Sequence, residues 1–208
     1  METKVLIPTG DNIKYAAGLI NAGLVVGMPT ETVYGLAANA FDAQAVGRIF
    51  EAKGRPQDNP LIVHINSLAM LDCVTAEVSP MAFRLAQRFW PGPLTMIFKK
   101  SEKIPSVVTA GLDTVGVRFP SHKAAQALIG EAGVPLAAPS ANCSGCPSPT
   151  TANHVYHDLN LSLIHICQSR FHGFSKPAGK LPRRRRWVRS AGRKSGRRPG
   201  NPDNRRIL

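Results

Sequence analysis

Cysteine is scarce in this sequence: four in 208 residues is too sparse for a disulfide scaffold. No apolar run approaches the ~20 residues of a membrane span. The opening METKVLIPTG lacks a long apolar stretch behind a basic region, which argues against a secretion signal. No internal repeat is visible. Neither a P-loop nor a G-x-G-x-x-G fingerprint is present, so any nucleotide must be held by another device. These absences lead us to expect a soluble, cytoplasmic protein. At 43% hydrophobic residues the chain has enough apolar material for a sizeable core, and its length suits one domain, or one domain and a tail.

Acidic residues are missing from one end. Residues 1–160 hold 12 Lys plus Arg against 12 Asp plus Glu, and residues 161–208 hold 14 against the single Asp203. The formal charge of +13 therefore sits in the last 48 residues. A basic tail suggests nucleic acid or an acidic surface, but that inference does not extend to the neutral body. From Leu161 onward the apolar periodicity also stops, and RRRRWVRSAGRKSGRRPGNPDNRRIL cannot build a core. We read 1–160 as a domain and 161–208 as a basic, disordered tail. LSLIHI (161–166) is what one frame of a common transposon-end sequencing adapter encodes, which makes the tail an out-of-frame or foreign extension.

Within 1–160, helical spacing is present over 11–22, with Asp11 as a cap and Ile13, Ala16, Ala17 and Ile20 as one stripe. It returns over 43–52, after Ser79-Pro80, over 121–130 and over 150–159. The helix opened by Pro80 is expected to bury Phe83, Leu85, Ala86 and Phe89. Strands are expected at 24–28, 61–65, 94–98, 115–119 and 135–139. Segments 29–42, 53–60, 101–114 and 139–149 read as long loops, a feature that is often functional in a compact domain. The mixture predicts a layered α/β or α+β domain with a mixed sheet.

Four segments are polar in a way a core does not need: Pro29–Leu36 (PTETVYGL), Lys53-Gly54-Arg55-Pro56 with Asp58-Asn59-Pro60 and His64, Thr114–Arg118, and Ala138–Asn142 with Ser144 and Ser148. Lys53 and Arg55 flank a glycine after a helix, so a mobile point charge and a rigid donor fork can reach one polyphosphate. In isolation the same pair is ordinary solvated charge. Arg118 alternates with Val117 and Phe119, which can point it into a cleft where it grips a carboxylate; an exposed strand arginine is an equal alternative. Taken by itself, His64 in LIVHI reads as a satisfied strand histidine rather than a ligand. Ser140 and Asn142 can contact phosphate, ribose or base, or serve the turn alone. Cys143-x-x-Cys146 has no second Cys pair or spaced His pair, so no zinc is expected.

Together PTETVYGL, KGRPQDNPLIVHI and PLAAPSANCSGCPSPT resemble, in order, the signatures of the YrdC-like threonylcarbamoyl-AMP synthases. The resemblance covers about residues 5–160. It implies a three-layer domain with a twisted mixed β-sheet flanked by helices around a concave cleft. It implies that L-threonine, bicarbonate or carbon dioxide, and ATP with Mg²⁺ give threonylcarbamoyl-AMP and pyrophosphate. A partner transferase that acts on tRNA then uses the product. Thr32, His64, Arg118 and the Ala138 backbone are implied to hold L-threonine. Lys53, Arg55, Asn59, Thr114, Ser140, Asn142 and Ser148 are implied to hold ATP, with Lys53 and Arg55 as the catalytic cations. No Ser-His-Asp set is visible, so positioning and electrostatics are expected to carry the reaction.

One departure matters. The family continues with a segment ending Glu/Asp-Ser-Thr-Val and a strand bearing an arginine, the serine serving threonine and the arginine ATP. Neither stands in frame here. Shifted by one nucleotide, residues 168–174 can read Arg-Val-Asp-Ser-Thr-Val-Leu, so the chain is expected to be impaired in stability and turnover. The alternatives are a non-catalytic module binding double-stranded RNA or tRNA, and a carbamoyl-transfer accessory domain of hydrogenase maturation. The latter calls for zinc-finger and acylphosphatase-like segments that are absent from this sequence.

Overall fold

The sheet is built from eight short strands in the order β1-β8-β2-β3-β7-β4-β6-β5. These are β1 (Lys4–Leu6), β2 (Val26–Met28), β3 (Gly35–Asn39), β4 (Ile62–His64), β5 (Thr95–Lys99), β6 (Thr114–Arg118), β7 (Leu136–Ala137) and β8 (His165–Cys167). β8 runs parallel to β1 and to β2, and β4 runs parallel to β6. The pairs β2–β3, β3–β7, β4–β7 and β5–β6 are antiparallel, so the sheet is mixed as expected. The structure is a computed structural model; it describes residues 3–54 and 56–159 and the backbone of 165–167, all within one unit. Arg55 and the basic tail apart from β8 lie outside the described residues.

Seven helices accompany the strands among the described residues: α1 (Gly10–Asn21), α2 (Ala43–Lys53), α3 (Leu68–Val74), α4 (Pro80–Phe89), α5 (Ser106–Thr109), α6 (Lys123–Ala132) and α7 (Ala152–Leu159). Their starts follow the capping chemistry of the sequence. Asp42 accepts from the Gln44 and Ala45 amides to open α2, and Ser79 accepts from Ala82 ahead of Pro80 in α4. The cap of α1 is Thr9 rather than the expected Asp11, which lies inside the first turn. None of these helices is long and apolar enough to cross a membrane.

Side-chain alternation sorts the strands onto two faces. One face carries Leu36, Ala38, Val63, Phe98, Val115, Val117 and Ala137, and packs with buried residues of α2, α3, α4, α5 and α7. The other carries Val26, Met28, Ala37 and Leu136, and packs with Ile13, Ala16, Ala17 and Ile20 of α1 and with Ala124, Ala125, Leu128 and Ile129 of α6. The second core stops at β7. Beyond it, on β4, β6 and β5, the same face presents Ile62, Gly116 and Ile97 in one row, with Ile97 68% exposed. This half of the sheet face is not covered by α1 or α6.

Three expectations need correction. The segment 29–42 is not one loop, because Gly35–Asn39 is a strand. GLAAN has small residues buried on both faces, so it shows neither alternation nor β-branched enrichment. In α4 only Ala86 is buried; Phe83, Leu85 and Phe89 face outward. The third concerns the point at which the body ends. The sheet includes β8, which lies past residue 160 and fills the place between β1 and β2.

Candidate active site

Strand register brings two of the expected residues side by side. His64 on β4 pairs with Arg118 on β6, which pairs in turn with Thr95 on β5. Both His64 and Arg118 are buried and point to the face that α1 and α6 leave open. The loop after β2 brings up the third residue, Thr32, whose hydroxyl accepts from Arg118 Nη2 at 3.1 Å. That loop is held by its own chemistry. Thr30 Oγ1 accepts from the Thr32 and Val33 amides and donates to the Val33 carbonyl at 2.6 Å.

Two polar atoms in this cluster are buried without a partner: His64 Nδ1 and Arg118 Nε. Buried polar groups are almost always satisfied, so a neighbouring pair of orphans points to a ligand that supplies an acceptor and a hydrogen-bonding hydroxyl or amide. Burial, then the charge of Arg118, lowers the His64 imidazole to about 4, so it is neutral near pH 7.

Sequence reading missed Glu31. Its Oε1 lies 2.7 Å from Arg118 Nη2, and its Oε2 accepts from the Ser121 amide at 3.2 Å. Burial pushes the Glu31 carboxyl up, but hydrogen bonds from Arg118 and the backbone, with the guanidinium charge, outweigh it and hold the group below the usual carboxylate range. One signal was available: Glu31 is the only acid between Asp11 and Asp42, and it stands inside the most polar loop.

The second half of the site is the loop after β7. Ala141 donates its amide to Tyr34 O, Leu36 N donates to Pro139 O, and Tyr34 N donates to Pro149 O. The loop is thereby stitched to the start of β3, where Gly35 approaches so closely that a Cβ would sit 3.2 Å from that of Ala138. The Ala138 amide donates to Ile62 O. Asn142 donates its amide nitrogen to the carbonyls of Cys143 and Cys146, and its buried Oδ1 has no partner.

Lys53 differs from expectation. It ends α2, is buried, and donates Nζ to the carbonyls of Ser140 and Asn142. Gly54 takes the left-handed conformation that stops the helix there, with φ 57°. The ammonium is thus turned into the Ser140–Asn142 loop. Asn59 is exposed in the α2–β4 connection, and Thr114 is half-buried at the start of β6 on the row of Lys99. Ser148 is exposed and lines a separate cavity of about 310 Å³ with Pro147, Pro149, Thr150, His154, His157 and Asp158. Among the described residues, no side-chain hydrogen bond or ion pair joins Asn59, Thr114 or Ser148 to the Arg118 cluster. Cys143 Sγ donates to Asp158 O at 3.0 Å and Cys146 is exposed; among the described residues no group of three His, Cys, Asp or Glu is arranged for a metal ion.

The family model Sua5/YciO/YrdC, described as "Telomere recombination", matches residues 18–172. The chain belongs to this family. It is 59% identical over 147 residues to the threonylcarbamoyl-AMP synthase of Pyrococcus abyssi, covering 71% of this chain and 43% of that protein. It is 53% identical over 159 residues to the threonylcarbamoyl-AMP synthase of Bacillus subtilis, covering 76% and 46%. The chain therefore spans less than half the length of these two relatives. Among solved structures, P. abyssi Sua5 complexed with L-threonine superposes with a TM-score of 0.77 at 52% identity, over 81% of this chain and 49% of that one. The resemblance read from the motifs is borne out, and so is the layered, mixed-sheet fold. A Sua5/YciO/YrdC domain with these short strands has its motif residues gathered from β2, β4, β6 and β7 at the edge of the uncovered sheet face.

Proposed function

We propose that this domain joins L-threonine, bicarbonate and ATP into L-threonylcarbamoyl-AMP, with release of pyrophosphate and water. The observation that carries the reading is the Thr32–His64–Arg118 cluster, which holds two buried polar atoms without a partner. The names of the P. abyssi and B. subtilis relatives support it over a non-catalytic RNA-binding module.

In this reading Arg118 Nε takes an oxygen of the threonine carboxylate, with charge-assisted strength. The neutral His64 Nδ1, Thr32 and the Ala138 carbonyl hold the rest of the amino acid. Ser140, Asn142, Asn59, Thr114, Ser148 and Arg55 hold ATP, which enters with Mg²⁺ as part of the substrate. Lys53 donates to the carbonyls of Ser140 and Asn142 and so fixes the position of that loop. An oxygen of the threonine carbamate forms a bond to the α-phosphorus, and the bond from that phosphorus to the β-phosphate bridging oxygen breaks. The residues position two anions and neutralise charge; no side chain is a covalent nucleophile. The product passes to a transferase that acts on tRNA, in the cytoplasm. The in-frame serine and arginine that the family pattern supplies after α7 are missing, so turnover is low.

Pyrophosphate release by the purified chain tests this. With ATP and Mg²⁺ we expect slow release that requires both L-threonine and bicarbonate. Release that continues without threonine would contradict the assignment, and rapid turnover would contradict the impairment.

A further inference from the structure

The Cys143-x-x-Cys146 motif takes no part in the proposed reaction. Both cysteines are free thiols, Cys143 half-buried and Cys146 exposed. Among the described residues they belong to no group of three side chains arranged for a metal ion, so the pair is left with thiol chemistry.

The backbone already draws the two together. The Cys146 amide donates to the Cys143 carbonyl at 3.1 Å, which closes a four-residue turn. Gly145 occupies its third position with φ 83°, a left-handed conformation open to glycine without steric cost. Such a turn holds its first and last Cα atoms within about 7 Å, and a disulfide asks for roughly 4.4–6.8 Å. Rotation of the two side chains and a slight tightening of the turn are all that a bond requires.

The contacts that hold this turn decide what oxidation does. Cys143 Sγ donates to the Asp158 carbonyl in the last turn of α7, at 3.0 Å. The Ser144 amide donates to the Lys53 carbonyl at the end of α2, at 3.1 Å. The Asn142 side-chain amide donates to the carbonyls of Cys143 and Cys146, at 2.9 and 2.7 Å. A disulfide has no S–H, so Cys143 lets go of α7. The turn tightens as the two Cβ atoms close to about 3.5–4.5 Å. Both carbonyls gripped by Asn142 move with it, and they carry along the buried Asn142 Oδ1, an acceptor without a partner.

We propose that Cys143 and Cys146 form a reversible dithiol–disulfide switch, and that oxidation weakens the hold of the Ser140–Asn142 loop on nucleotide. The second part rests on the reading that this loop binds ATP. The oxidant is a small-molecule disulfide such as glutathione disulfide. The exposed Cys146, as thiolate, attacks one of its sulfurs, breaks the S–S bond and expels one thiolate. Cys143 gives its proton to that thiolate and attacks the Cys146 sulfur of the mixed disulfide. The second thiolate leaves and takes up the proton that Cys146 released. Two protein thiols are oxidised, the small disulfide is reduced to two thiols, and a thiol reductant reverses the exchange.

The test equilibrates the full chain with reduced or oxidised glutathione. One portion is alkylated and mapped by mass spectrometry after cleavage at Tyr156, which separates the pair from Cys167. The other is freed of glutathione and titrated calorimetrically with ATP, alongside Cys146→Ser treated in the same way. We expect the oxidised chain to carry a Cys143–Cys146 bond that dithiothreitol reverses. It should bind ATP about three- to ten-fold more weakly than the reduced chain, the range for one lost hydrogen bond. Cys146→Ser should match the reduced chain before and after oxidation. Absence of the bond in oxidised glutathione overturns the proposal, as does a bridge from either cysteine to Cys73 or Cys167 in its place. A bond that forms while ATP affinity stays unchanged overturns the switch. So does an equal loss in Cys146→Ser, because another cysteine would then be responsible. If ATP binds neither form, the nucleotide reading fails and the switch with it, while the mapping still decides the disulfide.

Discussion

His64 shows how one residue links sequence, burial and pH. Within LIVHI it reads as a strand residue, and the strand register decides that its ring lies beside Arg118. Unfolded, an imidazole titrates near its usual value of about 6.5; folded, burial and Arg118 lower this one to about 4. Between those values the unfolded chain binds a proton that the folded chain refuses. Stability is therefore full above the unfolded value and falls as pH drops towards the folded one, by on the order of 3 kcal/mol in all. His122 is also lowered, by burial, and acts in the same direction; Glu31 is held low and loses its contribution only in the more acidic carboxylate range. Denaturant unfolding at pH 7 and pH 5 checks this: the loss between the two should be clearly smaller in His64→Gln. At this scale Thr32, His64, Arg118, Ser140 and Asn142 could be singled out because each belongs to a motif. Glu31 was not, since its meaning depends on a partner 87 positions away. Lys53 was legible as a site residue but not as a buried clamp, because the sequence does not say which way a helix-terminal side chain turns.

Among elements, α4 separates pattern from packing. Its apolar residues suggested a buried stripe, yet Phe83, Leu85 and Phe89 are 42%, 38% and 50% exposed, while Ala86 is 1% exposed; Met81 is 58% exposed as well. A small side chain here allows the helix to sit close to Trp90 and Phe98, which themselves pack with ring centroids 6.5 Å apart. We expect Met81→Gln and Leu85→Gln to change stability by no more than about 0.5 kcal/mol each, as surface substitutions do. Ala86→Phe should destabilise by about 1–3 kcal/mol through overpacking. Thermal denaturation of the three variants reads both. β3 is the converse case: a strand of small residues, buried on both sides and silent in the sequence. Most other helices and strands were readable to within a few residues, because caps, prolines and β-branched runs marked their ends.

The whole molecule was the least legible level. Nothing local reveals that β7 lies between β3 and β4, or that β8 separates β1 from β2. These non-local pairings carry the sheet beyond the part of its face that α1 and α6 cover. They also give the segment after α7 a structural task. Among the described residues β1 pairs only with β8, so a chain ending at residue 160 deprives β1 of its strand partner. Such a chain should be less stable than one ending at residue 171 by at least about 2 kcal/mol, or roughly 4–8 °C in melting temperature for a domain of this size. Equal melting of the two would show that β8 contributes nothing.

The central claim is that one cleft holds an amino acid on Arg118 and a nucleotide on the Ser140–Asn142 loop. A crystal structure of the chain with L-threonine and a non-hydrolysable ATP analogue tests it most directly. The expected result is the threonine carboxylate on Arg118, over the bare face of β4 and β6, with its amino group towards the α-phosphate. Threonine bound away from Arg118, or the two ligands too far apart for the amino group to face the α-phosphate, would contradict it.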